Sequence, residues 1–187
     1  MNRKIIGVFV GSLRKGSYCR SIADFVSSLA PENYEMRAID LAGLPMYNQD
    51  LDDEGNPPEA WTKFRAEVKP LDGCLFVTPE YNRSVPAVLK NTLDVGSRPY
   101  GKSVWNGKAG GIISVSPGSL GAFGANHHLR QSMVFLNILT LQQPEAYVGN
   151  VAALLNEKGQ VADESAREFL KQYMDAFIKW VGAVSGI

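Results

Sequence analysis

Gly11, Ser12, Leu13, Arg14, Lys15, Gly16 and Ser17 form the stretch of this chain best suited to chemistry. A short apolar run, Val8-Phe9-Val10, leads into it, and a helical pattern follows. Glycines let backbone N–H groups approach an anion, hydroxyls donate hydrogen bonds, and a helix N-terminus adds partial positive charge. Arg14 adds a forked, permanently charged guanidinium that matches phosphate oxygens. The loop therefore predicts a phosphorylated ligand. Its spacing Gly11-x-x-x-x-Gly16 opens like the phosphate loop of nucleotide hydrolases, but Ser17-Tyr18 stands where that loop needs Lys followed by Ser or Thr. The G-x-G-x-x-G dinucleotide pattern is also absent after this run. A site for one terminal phosphate, as in a mononucleotide, remains. The bland alternative is an ordinary strand-to-helix turn rich in small residues.

Two further loops carry unusual chemistry. Thr78-Pro79-Glu80-Tyr81-Asn82-Arg83-Ser84-Val85-Pro86 is stiffened by two prolines. A stiff loop presents its backbone groups in fixed geometry, which suits edge-on recognition of a planar heterocycle. Tyr81 offers an aromatic surface, and Asn82 both a donor and an acceptor. Ser114-Val115-Ser116-Pro117-Gly118-Ser119-Leu120-Gly121 is built of small residues and lets a flat ring approach closely. Arg83 first, and Arg98 second, are the cations expected to meet an anionic substrate; solvated surface charge is the alternative, and the stronger one for Lys102. Glu80 reads as a structural or subunit-contact carboxylate ahead of an acid–base group. His127, at the start of its helix, reads as a capping or partly exposed histidine ahead of a residue lining the pocket or a subunit interface. His127 and His128 point about 100° apart on a helix and cannot easily share a metal.

The elements that must position these loops alternate. Residues 5–10, 34–39, 73–78, 110–116 and 138–148 read as strands, the last irregular around Pro144. Residues 17–29, 59–69, 86–95, 125–137 and 163–184 read as helices, the last with Phe169, Tyr173, Phe177 and Val181 as its inner stripe. Residues 40–58, rich in Asp, Asn, Gly and Pro, read as one long loop containing Tyr47. Trp61, Phe64 and Trp105 read as core or interface aromatics. Alternation without repeats means an α/β fold with a parallel sheet covered on both faces. Five strands suit a flavodoxin-like three-layer sandwich of order 2-1-3-4-5, with its ligand at the carboxyl ends of the strands. The three loops above then converge on one edge.

A chain of 187 residues is expected to fold as a single domain over residues 1–187. Apolar content of 45% and charged content of 20% are those of a soluble globular protein. Zero formal net charge argues against nucleic acid as partner and against an acidic electron shuttle. No stretch matches a membrane span or a cleaved signal, so a cytoplasmic location is expected. Cys19 and Cys74 have no metal-ligand spacing and read as free thiols.

Gly11-Ser12-Leu13-Arg14-Lys15-Gly16-Ser17, taken with Pro79-Glu80-Tyr81-Asn82, Ser116-Pro117-Gly118 and His128-Leu129-Arg130-Gln131, resembles the NADPH-dependent FMN reductase family, most closely its bacterial chromate/quinone reductase branch. The resemblance covers nearly the whole chain. It implies bound FMN, with Ser12, Arg14, Ser17, Tyr18 and Cys19 at the phosphate. Pro79, Glu80, Tyr81, Asn82, Ser116, Pro117 and Gly118 would border the ring. It also implies NADPH or NADH as electron donor, ping-pong transfer to quinones, chromate or related oxidants, and a homodimer or homotetramer. The region around Tyr47 would close over a neighbouring subunit's flavin. Cys19 departs from the family, which often has Asn there, and its side chain is a poor phosphate donor. The flavin carries the chemistry, so no catalytic triad is expected. The competing classes are a flavodoxin-like electron carrier and a non-catalytic flavin-binding module.

Overall fold

The computed structural model describes residues 3–185. Its strands are β1 (Lys4–Val10), β2 (Tyr34–Ala38), β3 (Gly73–Thr78), β4 (Ala109–Val115), β5 (Leu139–Thr140) and β6 (Ala146–Val148). Its α-helices are α1 (Tyr18–Ser27), α2 (Gln49–Asp53), α3 (Glu59–Val68), α4 (Ala87–Gly96), α5 (Phe123–Phe135) and α6 (Glu164–Val184). The strands pair in the order β2-β1-β3-β4-β5, with β6 also on β4, and every pairing is parallel. This is the flavodoxin-like order expected from the alternation of elements.

β3 and β4 are buried along their whole length, which is why they read as unbroken apolar or small-residue runs. Successive residues of a strand face opposite sides of the sheet. A Cβ on Gly110 would lie 2.4 Å from Met133 of α5, and one on Gly111 would lie 2.8 Å from Phe177 of α6. The two adjacent glycines thus let a helix press close on each face. The resulting cores are separate. One joins Ile22, Val26, Leu75, Ile113, Tyr173 and Phe177 under α1 and α6. The other joins Phe9, Trp61, Phe64, Phe76, Leu93 and Trp105 under α3, α4 and α5. Phe9 stacks on Phe76 at 4.9 Å, and Trp105 Nε1 donates to Leu93 O at 3.0 Å, so the expected core aromatics are core aromatics.

Three expectations are corrected. The fifth strand is two short strands, and both pair with β4: Leu139 and Thr140 with its start, Ala146 to Val148 with its end. Pro144 lies between them and has no N–H for a ladder, so the chain leaves the sheet and rejoins it. The long loop contains α2, started by the Asn48 side chain accepting from Asp50 N at 3.1 Å. A five-residue helix is too short to show periodicity; its local signals are the Asn48 cap and the acidic Asp50 and Asp52 of its first turn. In α6, Phe169 is only half-buried, and Leu170 and Met174 take its place in the buried stripe.

Candidate functional site

Val10 of β1 pairs with Val77 of β3, and Thr78 pairs with Ser114 of β4. The loops after these three strands therefore leave one edge of the sheet side by side. The order reverses between β1 and β3, where ligands of such sheets bind.

At this point the first loop makes a cradle. Gly11 N donates to Val77 O at 2.8 Å and carries the β1 ladder one residue further. A Cβ on Gly11 would lie 2.6 Å from Leu89 and 3.0 Å from Pro79, so only glycine lets the first loop touch the second. Gly16 turns the chain with φ +63°. Ser17 caps α1 in extended conformation, yet its side chain makes no capping bond. Ser17 is 4% exposed, and its Oγ has no hydrogen-bond partner among the described residues. An unsatisfied buried hydroxyl costs about 1–3 kcal/mol. An anion oxygen at the helix N-terminus would satisfy it. Arg20 N is the first α1 amide bonded to Ser17 O, which leaves the Tyr18 and Cys19 N–H groups ahead of it, in the orphan positions of a helix start. Arg14 is exposed and, among the described residues, makes none of the close ion pairs that occupy Arg37 and Arg65.

The Cys19 side chain packs into the core with Ile22, Ala23 and Val26. Burial pushes its thiol up to about 12, opposed by the nearby Ser17 hydroxyl and the Arg14 charge. Burial likewise pushes Cys74, under the opposite face of the sheet, up to about 12. Both cysteines are free, as expected. At pH 8 each thiol should be ionised to roughly one part in 10⁴, against about a quarter for an ordinary cysteine. The native protein is expected to give no reaction with an aromatic disulfide reagent over minutes, and two thiols once unfolded. A fast-reacting thiol in the native protein would show that Cys19 is reachable from the cradle. Because the fold holds both thiols neutral, their contribution to stability is full below pH 9 and is lost as pH rises from there toward 12.

In the second loop, Tyr81 N donates to Ser84 O at 3.1 Å and Ser84 N to Tyr81 O at 2.9 Å. Asn82 (φ 51°) and Arg83 (φ 64°) are both left-handed, the pair of signs that defines a type I′ turn. Asn is at ease there; Arg is not. The turn thrusts Tyr81, Asn82 and Arg83 into solvent, while Pro79 and Glu80 stay half-buried. Arg83 has only a 3.8 Å contact with Glu80, so its charge is available to a ligand. In the third loop, Ser116 Oγ accepts from Gly118 N at 3.0 Å, and Pro117 and Gly118 are exposed. A Cβ on Gly149 would lie 2.5 Å from Ser119 O, so β6 is followed by a glycine that leaves room for this loop.

The structure places Ser12, Arg14 and Ser17 in the first loop and Tyr18 and Cys19 at the start of α1, with Pro79, Glu80, Tyr81 and Asn82 on one neighbouring loop and Ser116, Pro117 and Gly118 on the next. Arg98 follows α4; burial and the Asp52 carboxylate raise the Tyr47 phenol above its ordinary value, and the Arg98 charge opposes that rise. Lys102 is exposed. His127 is exposed and holds the Tyr147 hydroxyl at 3.0 Å. Sequence reasoning missed Gly124, Asn126 and Gly149, which lock the second and third loops in place. Their signals are contacts between distant segments, which no spacing reveals.

The fold defines a flavodoxin-like protein, with three loops of small, hydroxyl, proline and aromatic residues side by side at the carboxyl edge of its sheet. Residues 4–153, which include all three loops, match the family model of the NADPH-dependent FMN reductases, and the chain belongs to that family. It is 51% identical over 176 residues to a quinone reductase of Pseudomonas putida, covering 94% of both chains. It is 43% identical to a 2-hydroxy-1,4-benzoquinone reductase of a Burkholderia species, covering 94% of this chain and 95% of that one. FerB, a flavoenzyme NAD(P)H:(acceptor) oxidoreductase of Paracoccus denitrificans, has the same architecture with a TM-score of 0.89 at 35% identity, covering 96% of this chain and 98% of that one. Among the described residues, no helix is long and apolar enough to cross a membrane.

Proposed function

We propose that this protein is an FMN-dependent NAD(P)H:quinone oxidoreductase. One observation carries the proposal: a buried, unpartnered Ser17 hydroxyl at a helix N-terminus, beside two exposed small-residue and aromatic loops on the same sheet edge. These residues fit FMN. Ser12, Arg14, Ser17 and the amides of Tyr18 and Cys19 would hold its phosphate. Pro79, Glu80, Tyr81 and Asn82 would border one side of its ring, and Ser116, Pro117 and Gly118 another.

FMN held there would supply the two-electron chemistry that links NAD(P)H to an acceptor. The protein's residues bind and orient. The Tyr81–Ser84 turn and the Pro117-Gly118 segment leave the site open, so donor and acceptor occupy it in turn, which is a ping-pong cycle. Arg83, exposed on the turn, attracts the phosphates of the nicotinamide donor, and Arg98 is the second such cation. An open, cationic mouth also admits chromate and related anions. A homodimer or homotetramer belongs to the same reading; Val134 and Phe135 on α5, 77% and 83% exposed, supply an apolar face for it.

The test is an anaerobic absorbance spectrum of the purified protein before and after NADH or NADPH, followed by a benzoquinone. The flavin band should bleach within seconds and return when the quinone is added. A protein that neither takes up FMN nor oxidises NAD(P)H would overturn the proposal. Slow reduction that stops at a stable one-electron state would make the protein a carrier instead.

A further inference from the structure

We propose that Glu80 is a positioning residue that sets the gap between the two ring-bordering loops through the start of α5; the proposal rests on the function above. α5 begins poorly. Its cap position is Ala122 in left-handed conformation (φ 58°), which offers no side-chain acceptor, and no acidic residue lies in its first turn. Its leading N–H groups therefore need an acceptor from elsewhere. Glu80 provides one from the second loop, across 45 positions of chain: its Oε2 accepts from Ala125 N at 3.0 Å. A carboxylate at a helix N-terminus is also favoured by the helix dipole. The Glu80 side chain is only 17% exposed, so the contact is shielded from water.

The fit is close on both sides. A Cβ on Gly124 would lie 2.8 Å from Glu80 Oε2 and 2.9 Å from Arg83 O, so glycine at 124 is what lets the second loop seat on α5. Ser84 Oγ and His128 Nδ1, 2.9 Å apart, make a second tether one helical turn further on. The next residue after Ala125 serves the third loop. Asn126 Nδ2 donates to Ser114 Oγ at 3.2 Å, and Ser114 Oγ donates to Gly121 O at 2.7 Å. Asn126 and Ser114 are both fully buried. Two consecutive residues of α5 thus reach both loops, Ala125 by a direct bond to Glu80 and Asn126 through Ser114 at the end of β4 and on to Gly121. A shift of one loop is passed to the other through a rigid helix. With its carboxylate held by an amide, Glu80 acts on the flavin through α5 rather than as an acid or base.

The experiment compares Glu80→Ala, Glu80→Gln and Gly124→Ala with the wild type as full chains. Hydrogen exchange is measured on the flavin-free proteins, and FMN affinity and the visible circular dichroism of the flavin on the loaded ones. Glu80→Ala should speed exchange in residues 81–84 and 116–121 together, weaken FMN about tenfold or more, and change the flavin dichroism. Glu80→Gln keeps an acceptor oxygen and should restore most of each signal. Gly124→Ala, with Glu80 intact, should reproduce the dichroism change by pushing the loop away. A Glu80→Ala protein that merely melts earlier, with exchange rising everywhere and flavin affinity and dichroism unchanged, would overturn the proposal. So would faster exchange confined to residues 81–84. If the wild type binds no FMN, the proposed function fails, and the paired exchange response of the two loops still decides whether Glu80 sets them.

Discussion

Arg14→Ala is expected to leave the purified protein largely colourless. Arg14 projects from a cradle whose other donors are the adjacent Lys15, the Ser12 and Ser17 hydroxyls and the first amides of α1. Its charge opposes the upward shift of the Cys19 thiol at the helix start, and its planar fork, unlike the Lys15 ammonium, matches two phosphate oxygens at once. A phosphate monoester is close to dianionic at neutral pH, so the loss is of a charge-assisted contact worth roughly 1.5–3 kcal/mol. That corresponds to FMN binding weakened by about 10- to 150-fold. Arg14→Lys keeps the charge without the fork and should fall between. The measurement is a titration of flavin-free protein with FMN, read by quenching of flavin fluorescence at two salt concentrations. The wild-type affinity should fall with salt more steeply than that of the alanine variant. A variant that retains a full complement of flavin would move the phosphate to another part of the chain.

The cradle was legible because its signal is local. Glycine, hydroxyl and cation within seven residues, after an apolar run and before a helical stripe, need no knowledge of the rest of the fold. The sheet order was legible for a related reason: β3 and β4 are buried on both faces and so are apolar or small throughout. What stayed hidden depends on partners far away in the chain. β5 and β6 are two and three residues long, and only the length of β4 makes them strands of one sheet. The left-handed Arg83 follows from the two hydrogen bonds between Tyr81 and Ser84, not from arginine's preference. The role of Glu80 is set by Ala122, a cap without a capping side chain, 42 residues further on. Tyr47 is a further case. The composition reads only as a long loop, and it does not show that Asn91 of α4 accepts from Tyr47 N at 2.8 Å and donates to the carbonyls of Leu44 and Pro45.

That same loop carries the second large effect. Asp52→Ala is expected to lower stability by about 3–5 kcal/mol, the cost of removing one member of a buried ion pair. The Asp52 side chain is 2% exposed and that of Arg65 13%. Arg65 Nη1 and Nη2 donate to the two Asp52 oxygens at 2.8 and 2.7 Å, and Arg65 Nε donates to Val95 O at 2.9 Å. The guanidinium thus joins α2, α3 and α4, and it also lies 5.7 Å from the Trp61 ring. Without the carboxylate, two of its donors and its charge are left inside the protein. Thermal melts should shift down by roughly 6–20 °C for a chain of this size, and residues 40–58 should become the first site of proteolysis. The pH dependence gives an independent check. The Arg65 hydrogen bonds, opposed in part by burial, hold the Asp52 carboxyl below its ordinary value, so its contribution is present above about pH 4 and is lost as pH falls toward the lower folded value. The wild type should therefore lose more stability between pH 5 and pH 3 than Asp52→Asn does. If both proteins lose the same amount, and Asp52→Ala melts within a degree of the wild type, the loop is held by Asn91 and the Trp61–Pro45 hydrogen bond alone.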